Sequence, residues 1–133
     1  KEADEGIFKW DENDDTKIIG YSEKEFNEYL SINKGVLKIP EKCKRIDRFA
    51  FSNCDNIVKV ILSDNITSIE YGAFEHCSTL KSINFPKGLK VIEDSAFQDC
   101  SSLEIVYIPD SVYSLGKRSF LRMYKFKRNK TFR

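Results

Sequence analysis

The side chains of this chain that could do chemistry are four cysteines and a single histidine. Cys54, Cys77 and Cys100 stand 23 positions apart, and Cys43 lies outside that series. Zinc ligands come in short sequence pairs, which a spacing of this length does not supply. If each step is one turn of a stacked coil, the Cβ atoms of successive cysteines lie about 4.8 Å apart, beyond the roughly 3.5–4.5 Å of a disulfide. We therefore predict buried free thiols that pack as small apolar residues, with no metal and no cofactor.

The remaining candidates for chemistry are a cysteine–histidine pair and an acidic run. His76 adjoins Cys77, but we expect the histidine outward and the cysteine inward, and no third residue orients the pair. Residues 11–15 carry the alternating acids of a calcium loop. Thr16 stands where that loop needs glycine, and Ser22 stands where it needs glutamate, so a solvated turn is expected. No catalytic constellation emerges, and we predict that the chain is not an enzyme.

A repeat of 23 residues positions these side chains. Isoleucine or leucine, and then phenylalanine, return at that interval: Ile46, Ile69, Ile92 and Leu115; Phe51, Phe74, Phe97 and Phe120. A sustained period of this length is typical of a solenoid, in which each repeat buries its apolar side against its neighbours. Rings stacked at about 4.8 Å lie inside the roughly 4.5–7 Å window of favourable ring pairs. We therefore predict a continuous core of stacked phenylalanines.

Each repeat is predicted to contain a short strand of a parallel sheet. Three inward positions recur in it: Ile57, Leu80 and Leu103; Leu37, Val60, Ile83 and Val106; Ile39, Leu62, Phe85 and Ile108. The last two sets are separated by one residue, so their side chains point to the same face. Proline, which lacks a backbone donor, follows the strand in three repeats, and Ser63 follows it in the other. The residues between strands show no helical period, and we expect a short extended piece and a 3₁₀ turn.

The first 34 residues do not follow the repeat and predict a cap for the first coil. Two β-prone runs, residues 7–10 and 17–21, flank the acidic turn and predict a hairpin. Ser22 stands three residues before Glu25, which is the capping-box spacing, so a short helix is expected to start there and to end by Gly35. The predicted division is an α+β cap (1–34), a solenoid (35–126) and a basic tail (127–133).

Composition indicates one folded domain and excludes several partners. Apolar residues make up 41% of the chain and the net charge is +1, so no general attraction to nucleic acid or membranes follows. No run of 18 apolar residues is present, and membrane insertion is not predicted. Residues 1–15 hold seven acids against two lysines, whereas residues 117–133 hold eight bases and no acid. Those bases lack an element that reads a groove, so nucleic-acid binding is not predicted either. The start at Lys1 indicates a trimmed product.

The repeat resembles a known family. Residues 80–100 read Leu-x-x-Ile-x-Phe-Pro-x-x-Leu-x-x-Ile-x-x-x-Ala-Phe-x-x-Cys, and this pattern is similar to the BspA-type, or Treponema-type, leucine-rich repeat. The resemblance covers about residues 35–126, and residues 19–21 resemble the segment that opens many such domains. It implies a right-handed leucine-rich-repeat coil in a secreted or cell-surface protein of host-associated bacteria, with a role in adhesion. The family carries no catalytic residues to transfer.

The outward row of the predicted strands is the surface left for a partner. Where Val60 and Leu62 point inward, their neighbours point outward. The resulting strand face consists of Lys38, Lys59, Ile61, Ser82, Asn84, Ile105 and Tyr107. Exposed apolar side chains rimmed by polar ones often mark interaction sites, and solenoids bind partners on such faces. The alternative is a mildly apolar face that has no partner or is covered by the N-terminal segment.

Two functions follow from these observations. The first is a non-catalytic extracellular or cell-surface module that binds a host matrix protein or a microbial surface protein through the strand face. The second is a structural spacer that self-associates head to tail, with its acidic N-terminal end against the basic C-terminal end of a neighbour. That contact would weaken with salt, because exposed charges are screened within about 8–10 Å.

Overall fold

The 23-residue repeat folds into stacked coils in a computed structural model of the chain, which describes residues 5–123. The elements are a 3₁₀ helix (Glu5–Ile7), β1 (Phe8–Asp11), β2 (Asp14–Tyr21), α1 (Glu23–Ile32), β3 (Val36–Lys38), β4 (Arg45–Ile46), β5 (Lys59–Ile61), β6 (Ser68–Ile69), β7 (Ser82–Ile83), β8 (Val91–Ile92) and β9 (Ser114–Leu115). Strands β3, β5 and β7 form one sheet, and the other strands form a larger one in the order β1-β2-β4-β6-β8-β9. The predicted solenoid with a small α+β cap is confirmed.

The pairing register reproduces the repeat length. In the larger sheet Ser68 lies between Arg45 and Val91, each 23 residues away. In the smaller sheet Lys59 pairs with Ser82 at the same interval. A slip by one residue would turn every inward side chain to solvent, so the apolar pattern specifies this register. The extended pieces expected between the strands therefore do more than connect them, because they pair into the larger sheet.

The turn segments, residues 48–53, 71–76, 94–99 and 117–122, each contain one phenylalanine of the stack and form a third hydrogen-bonded column. Within a coil the bonds run from residue i to residue i−3, the pattern of a 3₁₀ turn, as from Ala73 N to Glu70 O (3.1 Å). Between coils, Phe51 N donates to Ala73 O and Phe74 N donates to Ala96 O, both at 2.8 Å. The first three coils are thus held to one another along all three of their sides.

The phenylalanines form the predicted stack. Ring centroids lie 5.3 Å apart for Phe51 and Phe74, 5.2 Å for Phe74 and Phe97, and 5.3 Å for Phe97 and Phe120, with interplanar angles of 16°, 5° and 2°. The cap extends the stack, since the Tyr21 ring lies parallel to Phe51 at 5.8 Å. One column of aromatic rings therefore runs from the cap through all four coils.

The four cysteines are buried free thiols, as predicted. Cys77 Sγ donates to Phe51 O and Cys100 Sγ donates to Phe74 O, both at 3.1 Å, so each thiol satisfies a carbonyl of another coil. Burial raises the pKa of Cys43 to about 12. The neighbouring thiol of Cys77, together with burial, raises the pKa of Cys54. Cys43 and Cys54 are therefore uncharged packing groups at neutral pH.

The cap contains the predicted hairpin and helix but not the predicted capping box. Strands β1 and β2 pair antiparallel, and β2 then pairs with β4 of the first coil. The Ser22 side chain forms no capping hydrogen bond. In a capping box the serine N–H would bond the Glu25 side chain, but here it donates to Ile7 O at 2.7 Å. A carbonyl of the 3₁₀ helix has replaced the Glu25 side chain as the partner of the Ser22 N–H.

Ion pairs attach the cap to two coils. Lys17 Nζ on β2 lies 3.2 Å from Asp47 Oδ1 and 3.3 Å from Glu70 Oε1. The Glu70 carboxylate, which is almost fully buried, also accepts from Arg45 Nε at 3.0 Å and pairs with its Nη2 at 2.9 Å. Because each charge has partners of opposite sign, the burial of Glu70 is compensated.

The smaller sheet ends one repeat earlier than predicted. Val106 and Ile108 are buried as expected, but residues 103–108 form no strand. β7 is already short, because the side chain of Asn84 takes both backbone groups of Leu62: Leu62 N donates to Asn84 Oδ1 (2.8 Å) and Asn84 Nδ2 donates to Leu62 O (3.2 Å). The predicted end of the solenoid at residue 126 and the basic tail (127–133) lie outside the described residues. The division into three segments stays a prediction.

Candidate protein-binding face

Strand pairing places four members of the predicted strand face side by side, and the members of the face differ in exposure. The register places Lys38 beside Ile61 and Lys59 beside Ser82. Lys59, Ser82 and Asn84 are exposed, whereas Lys38 and Ile61 are half-buried. One repeat further, beyond the last strand, Ile105 is 42% and Tyr107 68% exposed. The face therefore has a half-buried end of mixed character, a polar middle and an exposed apolar end.

A shallow cavity lies at the half-buried end of the face. Its volume is about 180 Å³, and it is lined by Lys38, Ile39, Glu41, Ile61, Leu62, Ser63 and Asp64. Ser63 stands in the place that proline occupies in the other repeats; it is 9% exposed, and its Oγ has no hydrogen-bond partner. A buried hydroxyl without a partner is costly.

A second depression lies toward the exposed end. It has a volume of about 400 Å³ and is lined by Lys81, Ser101, Ser102 and Glu104. Glu104 immediately precedes Ile105, and Lys81 immediately precedes Ser82, so the depression borders the strand face. Its charged and hydroxyl side chains supply the polar rim that accompanies apolar contact residues in protein interfaces.

Asn84 already has a structural role. Its amide oxygen and nitrogen both bond the backbone of Leu62 in the neighbouring coil. Sequence reasoning treated this side chain as available to a partner, since a position in an outward row looks unconstrained. The structure leaves the outer edge of the amide exposed but commits one donor and one acceptor. Contact of Asn84 with a partner stays a prediction.

The residues considered for chemistry are not brought together. His76 is exposed, with Nδ1 3.0 Å from Asp99 Oδ2, whereas the neighbouring Cys77 Sγ points inward to Phe51 O. The two side chains thus lie on opposite sides of the backbone, as predicted. Across residues 5–123 no group of three or more histidine, cysteine or carboxylate side chains is arranged to hold a metal ion. In the same stretch, no helix combines the length and apolar character that crossing a bilayer requires.

Sequence reasoning missed two exposed aromatic sites. Tyr113 is 76% exposed just before β9. Phe49 is 44% exposed beside Tyr71, where the larger sheet leads into the turn segments. The signal for Phe49 was present in the repeat: its equivalent in the next coil is Gly72, so an aromatic residue replaces a small one.

Comparisons with known proteins agree on one family. The model of the BspA type leucine rich repeat region matches residues 19–131 in six copies. No curated protein matches the chain in sequence.

Solved structures of bacterial leucine-rich repeat proteins have the same fold. A leucine-rich repeat protein from Bacteroides ovatus is similar over 94% of this chain and 33% of its own, with 25% identity and a TM-score of 0.76. The leucine-rich repeat protein of T. pallidum is similar over 92% and 69%, with 22% identity and a TM-score of 0.68. A leucine-rich cell surface protein from Faecalibacterium prausnitzii is similar over 91% and 37%, with 24% identity and a TM-score of 0.59. The chain spans about a third of the length of the first of these.

Proposed function

Since this chain belongs to the BspA-type leucine-rich repeat family, we propose that it is a non-catalytic module that binds a protein through its strand face. One observation carries the proposal: Ile105 and Tyr107 are exposed side by side on a face whose other exposed members are polar. Tyrosine is enriched at protein interfaces, because its ring contributes contact area and its hydroxyl a hydrogen bond.

The half-buried end of the face supplies the second contact. Successive coils lie about 4.8 Å apart, so Tyr107 lies about 10 Å from Ile61 and about 14 Å from Lys38. A partner that covers Tyr107 would therefore also reach the cavity with the unpartnered Ser63 hydroxyl. An exposed anchor and a small cavity at that separation fit an extended segment of a partner that lies across the coils.

We place this binding outside the cell and assign the partner to host matrix proteins or microbial surface proteins. Support comes from family membership and from the similar Faecalibacterium prausnitzii protein, which is described as a cell surface protein. The head-to-tail spacer is the competing proposal, and most of the basic end that it needs lies outside the described residues.

The test is capture of purified matrix and microbial surface proteins by the immobilised domain, measured by interferometry. Replacing Ile105 and Tyr107 with glutamate should weaken capture at least about tenfold, since buried aromatic anchors dominate such interfaces. Tyr113→Glu is the control for Tyr107→Glu alone, because each places one negative charge on an exposed tyrosine position, and Tyr113 lies away from the face. Capture that survives the double replacement, or that Tyr113→Glu reduces equally, would refute the strand face. Association that appears in sedimentation at low salt and is lost at high salt would favour the spacer instead.

A further inference from the structure

The backbone N–H just past each strand of the smaller sheet has a different partner in each coil. In the first coil, Ile39 N donates to Ile61 O of the next coil at 3.0 Å. In the second coil, Leu62 N donates to a side chain, Asn84 Oδ1, at 2.8 Å. In the third coil, Phe85 N donates to no described residue. The series therefore ends on a backbone donor that the fold leaves free.

The Phe85 N–H is free because the third and fourth coils are not paired on this side. Its counterpart in the fourth coil is Tyr107, which lies 22 positions further on, the separation of the two bonded pairs in the earlier coils. Tyr107 belongs to residues 103–108, which form no strand. The preceding ladder position is also open, since Val58 O accepts from Lys81 N at 2.7 Å, whereas the equivalent Lys81 O accepts from no described residue.

The free donor lies at the edge of the strand face. The ring of Phe85 is directed to the core, where its centroid lies 5.7 Å from that of Phe97, so the backbone is the part of this residue that a ligand can contact. Asn84 beside it and Tyr107 in the next coil are both exposed. Because successive coils lie about 4.8 Å apart, a ligand that contacts Tyr107 is within reach of the Phe85 backbone.

The chain itself shows which chemical group fits this backbone position. One coil earlier, the side-chain amide of Asn84 bonds both backbone groups of Leu62: Oδ1 accepts from Leu62 N at 2.8 Å, and Nδ2 donates to Leu62 O at 3.2 Å. Phe85 presents the same N–H and C=O, and no described residue bonds to either. Tyr107 cannot bridge them as Asn84 does, because tyrosine carries its only polar side-chain group at the far end of its ring.

We propose that the Phe85 backbone, beside Tyr107, binds a primary carboxamide, the side chain of an asparagine or glutamine of the partner protein. The carboxamide oxygen accepts from Phe85 N, its nitrogen donates to Phe85 O, and its aliphatic stem packs on the Tyr107 ring. A carboxylate lacks the donor and an apolar side chain lacks both groups, so the site distinguishes a carboxamide from either. This inference rests on the strand face proposed above and names one side chain of the partner that the face selects.

Hydrogen exchange of the whole chain, followed for single amides by nuclear magnetic resonance, tests the geometry without a partner. The Phe85 amide should exchange at least about tenfold faster than the Leu62 amide, because only the second is hydrogen-bonded. Tyr107→Asn places a carboxamide where Asn84 stands one coil earlier and should slow exchange at Phe85 at least about tenfold, whereas the control Tyr107→Ser should leave it unchanged. Equal exchange at Phe85 and Leu62 in the parent chain, or no slowing in Tyr107→Asn, would overturn the proposal.

Two synthetic pentapeptides then test the ligand. Each has two serines on either side of a central residue, which is asparagine in one and leucine, of similar shape but without polar atoms, in the other. Titrated to about 5 mM, the asparagine peptide should shift the Phe85 amide signal and bind at least about fivefold more tightly than the leucine peptide. Tyr107→Asn should abolish this preference, because its own carboxamide then occupies the Phe85 backbone.

The peptide result and the capture result fail separately. Equal affinities of the two peptides would refute the carboxamide site, even if capture of a partner depends on Ile105 and Tyr107. Capture that survives replacement of Ile105 and Tyr107 would refute the strand face instead.

Discussion

Replacing Phe74 with alanine tests the aromatic stack where the ring has a neighbour on both sides. The side chain is fully buried, and its ring lies 5.3 Å from Phe51 and 5.2 Å from Phe97. The flanking coils cannot close over the resulting cavity, because hydrogen bonds such as Phe74 N to Ala96 O (2.8 Å) fix their spacing. Phenylalanine-to-alanine changes in a core cost about 3–5 kcal/mol. Two lost ring pairs, at about 0.5–1.5 kcal/mol each, place Phe74 in the upper half of that range.

Equilibrium unfolding in urea, followed by circular dichroism, measures this loss. With a denaturant slope of about 2 kcal/mol per molar, a loss of about 4 kcal/mol lowers the midpoint by about 2 M. Tyr113→Ala is the control: the residue is 76% exposed, and we expect a change within about 0.5 kcal/mol. A loss in unfolding free energy below about 1 kcal/mol for Phe74→Ala would refute the stacked core, because removing a buried ring that stacks on two others should cost about 3–5 kcal/mol.

Further predictions concern the backbone, the charges and the thiols. Gly116→Ala should destabilise by about 1–3 kcal/mol in urea unfolding, since its Cβ would lie 2.2 Å from Asp94 N, a backbone atom that cannot step aside. Glu70→Gln should cost about 1–3 kcal/mol by the same measurement, because it leaves two cations with a weaker partner. Burial acts to raise the pKa of Asp47, yet the Arg48 backbone N–H and the Lys17 ammonium lower it, and bonds from Arg118 lower the pKa of Asp94. Their stabilisation is therefore present above about pH 4 and is lost as pH falls below it; acid titration of Asp47→Asn should show a shallower decline than the parent chain, and an equal slope would contradict the assignment. At pH 8 a bulky maleimide should label the thiols no faster than the chain unfolds, given the pKa of about 12 of buried Cys43, and rapid labelling of the native chain would contradict their burial.

The core was predictable because few folds can bury one residue type that recurs at a fixed interval. Phe51, Phe74 and Phe97 recur at 23, and a solenoid is the arrangement that buries all of them on equivalent neighbours. The thiols followed for the same reason: inward positions at coil spacing are too far apart for disulfides. The predictions of the stacked core and of the free thiols depend only on the repeat period and on side-chain size, and both of these can be read directly from the sequence.

The candidate site was less predictable because backbone hydrogen bonds decide which outward residues are available. Asn84 and Tyr107 occupy the same row, yet the first bonds the backbone of Leu62 and the second is 68% exposed. The predicted capping box at Ser22 was wrong for a similar reason, since the Ile7 carbonyl of the 3₁₀ helix accepts the N–H that Glu25 was expected to bond. In each case the deciding partner is distant in sequence and carries no motif.

Positive φ angles also restrict which residue types can occupy the surface of the coils. One column, with φ from 61° to 63°, runs through Asn53, His76, Asp99 and Arg122. The first three donate their backbone N–H to the next coil at 2.8 Å, so the stacking of coils dictates this conformation. Asparagine, histidine and aspartate tolerate it better than most residues. Their side chains are also used along the stack, since His76 Nδ1 and Arg122 Nη1 lie 3.0 and 3.2 Å from the Asp99 carboxylate.

The fold of a solenoid can therefore constrain the residues of a surface column in two ways. It can require a particular backbone conformation, or it can use their side chains for pairing between coils. A residue that neither has to adopt a special backbone conformation nor pairs with another coil is free to vary. A residue whose side chain disfavours the backbone conformation that the fold requires must be there for another reason. Tyr107 is of the first kind, because it lies beyond the last strand of its sheet. Phe49 is of the second kind, because its φ of +58° suits Gly72 in the next coil and not a phenylalanine. Residues of these two kinds, and not the repeating ones, are where partner specificity in this fold should be sought.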